Sequence, residues 1–156
     1  MLDVSRLNDH SRAFAQRLFR EFPAWLRHAR FDPYEEFERE ALLVEVPRPA
    51  GDGRHGLFIT TSEWEIAVGF GETFHTRFGV GADPAGDDAD FPGQAIGFIR
   101  RFVDEEMVLV TAWEEGEWLG AWTAPVIEGR VPDQEKEDGV TLRIRSWKGT
   151  FDHDVA

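Results

Sequence analysis

The sequence predicts an α+β domain, with a mostly antiparallel sheet of about six or seven strands and an N-terminal helix and one mid-chain helix packed on one face. Three observations predict it. Apolar residues recur at helical spacing in two stretches only, near residues 8–21 and 90–103. Seven other stretches read as strands, and short turns join most of them, which makes consecutive strands antiparallel neighbours. The chain has 156 residues, 42% of them hydrophobic and 13% aromatic, enough for one folded core. One domain therefore spans 1–156, with a helical segment at 8–30 and a sheet-rich body at 41–151.

The elements follow in order. Phe14, Leu18 and Phe22 recur four residues apart, with Ala15 and Phe19 beside them, so Asn8 to Glu21 forms an amphipathic helix. Asn8 or Asp9 caps it, and Arg12, Arg17 and Arg20 take its wet side. Pro23 opens a second helical turn through Trp25, Leu26 and Ala29. Phe31-Asp32-Pro33-Tyr34 reads as a turn, and Glu35 to Glu40 as a short charged helical piece. Ala41 to Val46 is a strand stopped by Pro47 and Pro49, and His55 to Thr61 is the next.

Ser62 to Gly79 is a hairpin. Trp64, Ile66, Val68 and Phe70 alternate with smaller or polar residues, and Phe74, Thr76 and Phe78 resume the alternation after Gly71. A two-residue loop would place His75 and Arg77 on the apolar face. A three-residue loop, Gly71-Glu72-Thr73, pairs Phe70 with Phe74, Val68 with Thr76 and Ile66 with Phe78, and keeps one face apolar; that register is the expected one. Glu65, His75 and Arg77 then share the opposite face.

Gly79 to Asp90 is a solvated linker holding Asp83, Asp87, Asp88 and Asp90. Asp90 caps a helix whose apolar side is Ala95, Ile96, Ile99, Phe102 and Val103. Met107 to Trp113 is near-continuously apolar, as at the centre of a sheet covered on both faces. Glu114 to Glu117 turns it back into Trp118 to Ile127, with Trp118, Gly120 and Trp122 expected on one face. Glu128 to Asp138 is a second acidic loop. Gly139 to Trp147 is the last strand, with Val140, Leu142 and Ile144 on one side and Thr141, Arg143, Arg145 and Trp147 on the other. Residues 148–156 read as a frayed tail. Trp64 and Trp113 are expected to pack into the sheet.

Charge narrows the function. The net charge is −13. Residues 1–50 carry nine acids and eight bases, and residues 51–156 carry twenty-one acids and nine bases. An anionic body repels phosphates, so nucleic acid is not the expected partner. It suits a basic protein, though acidity also serves plain solubility. No apolar run approaches the ~20 residues of a membrane helix, and Met1 to Ser5 carries no secretory pattern. The chain lacks cysteine, hence disulfides and thiolate chemistry. Cytoplasmic residence without membrane partners is the expectation.

Catalytic templates are absent. Ser5, Ser11, Ser62 and Ser146 lie in no nucleophile motif. Gly69-Phe70-Gly71 lacks a phosphate loop's third glycine. The five histidines show no metal-ligand spacing, and Asp152-His153-Asp154 lies in the expected tail, so neither metal nor cofactor is expected. His75 beside Arg77 and Glu65 is the one arrangement that would serve an enzyme; a half-exposed strand histidine is the plainer reading. Glu114, Glu115 and Glu117 read as a solvated turn rather than an acid–base pair. Trp118, Trp122 and Trp147 with Arg143 and Arg145 have the composition of a protein-binding face.

The runs W-E-I-A-V-G-F, F-H-T-R-F, A-I-G-F-I-R-R-F-V-D-E-E-M-V-L-V and R-I-R-S-W-K-G-T-F-D, across residues 57–152, resemble a family of small bacterial proteins: immunity proteins of polymorphic toxin systems and related neighbours. The resemblance implies a non-catalytic protein that binds and neutralises a cognate toxin domain. It marks Trp64, Phe70, His75, Phe78 and Arg145 to Gly149 as family-type positions. An acidic surface suits a toxin that is basic because it acts on nucleic acid. The expected contacts are Asp83, Asp87, Asp88, Glu114, Glu115, Glu117, Glu135 and Glu137, with His75, Trp118 and Trp122. The alternatives are a small enzyme around His75 and a homodimer through the Trp118/Trp122 face.

Overall fold

Asn8 ends its extended entry by accepting the Ser11 N–H at 2.8 Å, and helix α1, Asp9–Glu21, begins there. Its buried stripe is Ser11, Phe14, Ala15 and Leu18. Full burial of Phe14 or Leu18 stabilises by roughly 1.5–3 kcal/mol each. Pro23 starts a 3-10 turn, Pro23–His28. The computed structural model describes residues 2–32, 40–51, 56–62, 64–71, 73–79 and 90–156. The expected helical piece at 35–40 and the linker acids Asp83, Asp87 and Asp88 fall largely or wholly outside them.

Five strands form the first sheet: β1 (Ala29–Asp32), β2 (Ala41–Val46), β3 (Leu57–Thr61), β4 (Glu65–Phe70) and β5 (Phe74–Gly79), in that order and antiparallel throughout. The β4–β5 register is the one the alternation requires: Phe70 opposite Phe74, Val68 opposite Thr76, Ile66 opposite Phe78. Asp90 caps α2 (Phe91–Val103) by accepting the Gly93 N–H. Helices α1 and α2 lie against the inner face of this sheet over one core containing Leu42, Val44, Ile59, Ile66, Val68, Ile96 and Ile99. A bidentate Arg100–Glu21 pair, 2.6 Å at its Nη2–Oε2 arm, joins the two helices.

The other four strands form a second sheet, ordered β7-β6-β8-β9. They are β6 (Met107–Glu114), β7 (Glu117–Pro125), β8 (Val140–Arg145) and β9 (His153–Val155). Met107 and Leu109 face the first core; Val108, Val110 and Ala112 face a second with Leu142, Ile144 and Ala124. Strand β6 is thus covered on both faces, as its apolar run requires.

Several expectations need correction. The fold is α+β with antiparallel pairing throughout, as expected, but the described strands divide between two sheets, with the break at α2. Phe31 and Asp32 belong to strand β1 rather than to a turn. The C-terminus is ordered, because β9 pairs with β8. Trp64 is 60% exposed. The Ser62 hydroxyl accepts the Trp64 and Glu65 N–H groups, which bends the chain just before β4 and leaves the indole beyond the sheet. Trp147 is buried against Trp25, Phe70 and Phe102 rather than lying on an open face.

Trp118 and Trp122 do not share a face. A bulge inserts Leu119, so Ala112 pairs with Gly120 but Trp113 with Trp118. Trp122 pairs with Val110, and β6 alternates regularly from Val110 to Trp113 against β8. Opposite partners on β6 put the two indoles on opposite faces.

Candidate partner-binding surface

The far end of the second sheet gathers carboxylates. Glu115 (φ 49°) and Gly116 (φ 90°) form the two-residue β6–β7 turn, with positive φ at both positions as a type I′ turn demands. Glu114 and Glu117 pair across it. Glu114 also pairs with Val140, where the loop 126–139 returns to the sheet. Glu114, Glu115, Glu117, Glu135 and Glu137 are all exposed. Among the described residues, none of the five takes part in an ion pair. Residues 114–139 hold eight acids and two bases, net −6.

Exposed apolar groups adjoin the turn. Trp118, opposite Trp113, is 49% exposed, and Leu119, the unpaired residue of the bulge, is 52% exposed. The Arg143 guanidinium lies 4.5 Å over the Trp113 ring, which sits opposite Trp118. Trp122, half-buried on the other face, donates its Nε1–H to Gln134 Oε1 at 3.1 Å. That bond holds the loop carrying Asp133 and Glu135 against β7.

His75 is elsewhere, exposed on the outer face of the first sheet opposite Gly69. Among the described residues it has no hydrogen-bond partner, while Arg77 pairs with Glu65 at 3.6 Å. An open cleft of about 770 Å³ lies beside the Pro23–His28 turn, lined by Leu26, Arg27, Arg30 and Phe31, and His75 does not border it.

The sequence reading missed a buried polar clasp. Arg48, whose side chain is 3% exposed, donates its Nε–H to the Ser146 carbonyl at 2.8 Å and pairs through Nη2 with Asp152. Asp152 accepts the Ser146 N–H at 2.9 Å, and the Ser146 hydroxyl accepts the Phe151 N–H. Glu105 accepts the Lys148 N–H at 2.7 Å from the far side of the loop. Burial pushes the Glu105 carboxyl up. Hydrogen bonds from Ser146, Thr150 and the Lys148 and Thr150 N–H groups outweigh it and hold the group below the usual carboxylate range. Glu105 has φ 58° at the C′ position of α2, with the Glu106 N–H donating to the Arg101 carbonyl and the Glu105 N–H to that of Phe102. This is a Schellman end with glutamate where glycine is usual, at a cost of about 1 kcal/mol. Gly149 (φ 82°) closes the clasp; a Cβ there would meet the Ala50 Cβ at 2.8 Å. The run S-W-K-G-T-F-D therefore has a structural role. Its only sequence signal is Arg48 between two prolines.

No family model, curated protein or solved structure matches the chain.

Proposed function

We propose that this chain is a non-catalytic immunity protein that binds and neutralises a basic toxin domain through the acidic end of its second sheet. The observation that carries the reading is the set of exposed carboxylates Glu114, Glu115, Glu117, Glu135 and Glu137, in no ion pair among the described residues, with Trp118 and Leu119 exposed beside the first three. Unpaired surface charge of one sign steers an oppositely charged partner over a Debye length, and a desolvated aromatic anchor then slows its release. A nuclease domain, basic because it grips nucleic acid, is a partner of the fitting kind.

The test is co-expression with the C-terminal domain of the protein encoded directly upstream. The reading expects cell killing by that domain alone, rescue by this chain, and co-purification of the two. Rescue that persists undiminished when Glu114, Glu115, Glu117, Glu135 and Glu137 are all changed to Lys would refute the acidic surface. A harmless neighbour would refute the immunity role.

A further inference from the structure

The two sheets end in four edge strands, β1, β5, β7 and β9. An edge offers unpaired backbone groups to any passing strand, and proteins blunt edges with charge, proline or brevity. Strand β1 has four residues with Arg30 and Asp32 among them; β5 carries His75 and Arg77; β9 has three residues, including His153 and Asp154. Strand β7 is nine residues long and holds no ionisable side chain and no proline from Trp118 to Ala124. Its guards stand at its ends: Glu117 and the bulge at one, Pro125 at the other.

Its open hydrogen-bonding groups can be assigned. The Val126 N–H donates to the Glu106 carbonyl at 2.8 Å. In an antiparallel ladder bonded pairs alternate with non-bonded ones. Counting along the register, Ala124, Trp122 and Gly120 exchange their bonds with β6, while Thr123 and Ala121, opposite Leu109 and Thr111, turn their N–H and C=O groups outward. Pro125 falls on an outward position, where no N–H is needed.

We infer that the toxin-like partner docks by adding a β-strand to the outer edge of β7, with basic side chains where that strand passes the β6–β7 turn. The inference rests on the functional reading above and deepens it. Charge selects the occupant. Glu115 and Glu117 stand exposed at one end of the edge, and the turn that follows the other end carries Glu128 and Arg130, which balance. A second copy paired antiparallel through β7 would bring Glu128 and Arg130 beside each acidic turn, a balanced pair that gains nothing from its charge. A strand of about nine residues, roughly 30 Å long, with lysine or arginine beside the β6–β7 turn meets opposite charge there. Trp118 and Leu119 lie where its side chains would pack. Backbone bonds supply affinity in this mode and flanking side chains supply selection.

The experiment uses the isotope-labelled full chain and a nonapeptide alternating lysine and valine. Expected are amide shifts centred on Ala121 and Thr123, saturating below about 1 mM. The glutamate–valine counterpart should give none. N-methylation of alternate peptide residues should weaken binding about tenfold, the loss of one or two backbone hydrogen bonds. Thr123→Pro should do the same and leave the β6–β7 ladder intact, since its N–H points outward. No binding of the lysine peptide, equal binding of the glutamate peptide, shifts elsewhere on the chain, or indifference to N-methylation would each overturn the inference. N-methylation alters the peptide alone, so the test stands even if the proline variant unfolds. Peptide docking without rescue from a toxin would refute the immunity role and leave the edge; rescue without peptide docking would refute the edge.

Discussion

Two charged regions of this protein use the same residue types in opposite ways. In the clasp, Arg48, Glu105 and Asp152 are each engaged by several hydrogen bonds, with Arg48 and Glu105 buried. At the end of the β6–β7 hairpin, the side chains of Glu114, Glu115 and Glu117 stand in water, in no ion pair among the described residues. Desolvation separates the two cases. A buried charge costs several kcal/mol unless its partners are in place, so the clasp holds one geometry only. An exposed carboxylate costs little and stabilises little, so its position can be set by what lies outside the molecule. Mutation should therefore unfold the protein at the first region and alter its association at the second.

The largest effect is expected at Arg48. Arg48→Met leaves Asp152 part-buried without its cation and the Ser146 carbonyl without its donor. A loss of about 3 kcal/mol is expected in urea denaturation. A loss under roughly 1 kcal/mol would show that solvent already reaches the pair, and would erase the contrast.

Glu105 comes next. Glu105→Ala should cost about 2 kcal/mol, because the Lys148 and Thr150 N–H groups lose a charged acceptor. Glu105→Gly should cost about 1 kcal/mol less than Glu105→Ala, since glycine relieves the left-handed backbone at φ 58°. The pH dependence has a definite sign. The folded carboxyl titrates below its ordinary value of 4.5, so its contribution is full above that pH and is lost as pH falls through the lower folded value. The stability gap between wild type and Glu105→Gln should be constant near neutrality and shrink in acid. A gap that widens in acid would mean that the group is raised, not lowered.

The same comparison explains what the sequence could disclose. The β4–β5 register was legible because one face of Ile66, Val68, Phe70, Phe74 and Phe78 had to stay apolar, a constraint local to thirteen residues. Both helices were legible from spacing and from the caps Asn8 and Asp90. The clasp was not, for it joins residues 48, 105 and 146–152, and no periodicity links them. Strand β9 is too short to alternate. The Leu119 bulge moved one tryptophan to the other face without any mark in the sequence. Of the proposed contacts, the turn and loop glutamates were visible as composition. Leu119 and the open edge of β7 needed the pairing pattern, because an edge is defined by the strand that is missing.

The smallest effect on stability is expected at the hairpin end. Glu115→Lys with Glu117→Lys replaces two negative charges by two positive ones in a turn with no ion pair among the described residues, so the urea midpoint should correspond to a change within about 0.5 kcal/mol. Repulsion among the neighbouring acids would make the double variant slightly more stable, if it shifts at all. Association is the sensitive readout. With the toxin domain in stopped flow, the wild-type on-rate should fall as salt rises, and the variant should start lower and respond less to salt; dissociation, governed by Trp118 and the β7 edge, should change little. A variant that leaves the on-rate and its salt dependence unchanged would move the steering charge elsewhere. One that unfolds would place this end among the structural charges beside Arg48, and the distinction between the two regions would be gone.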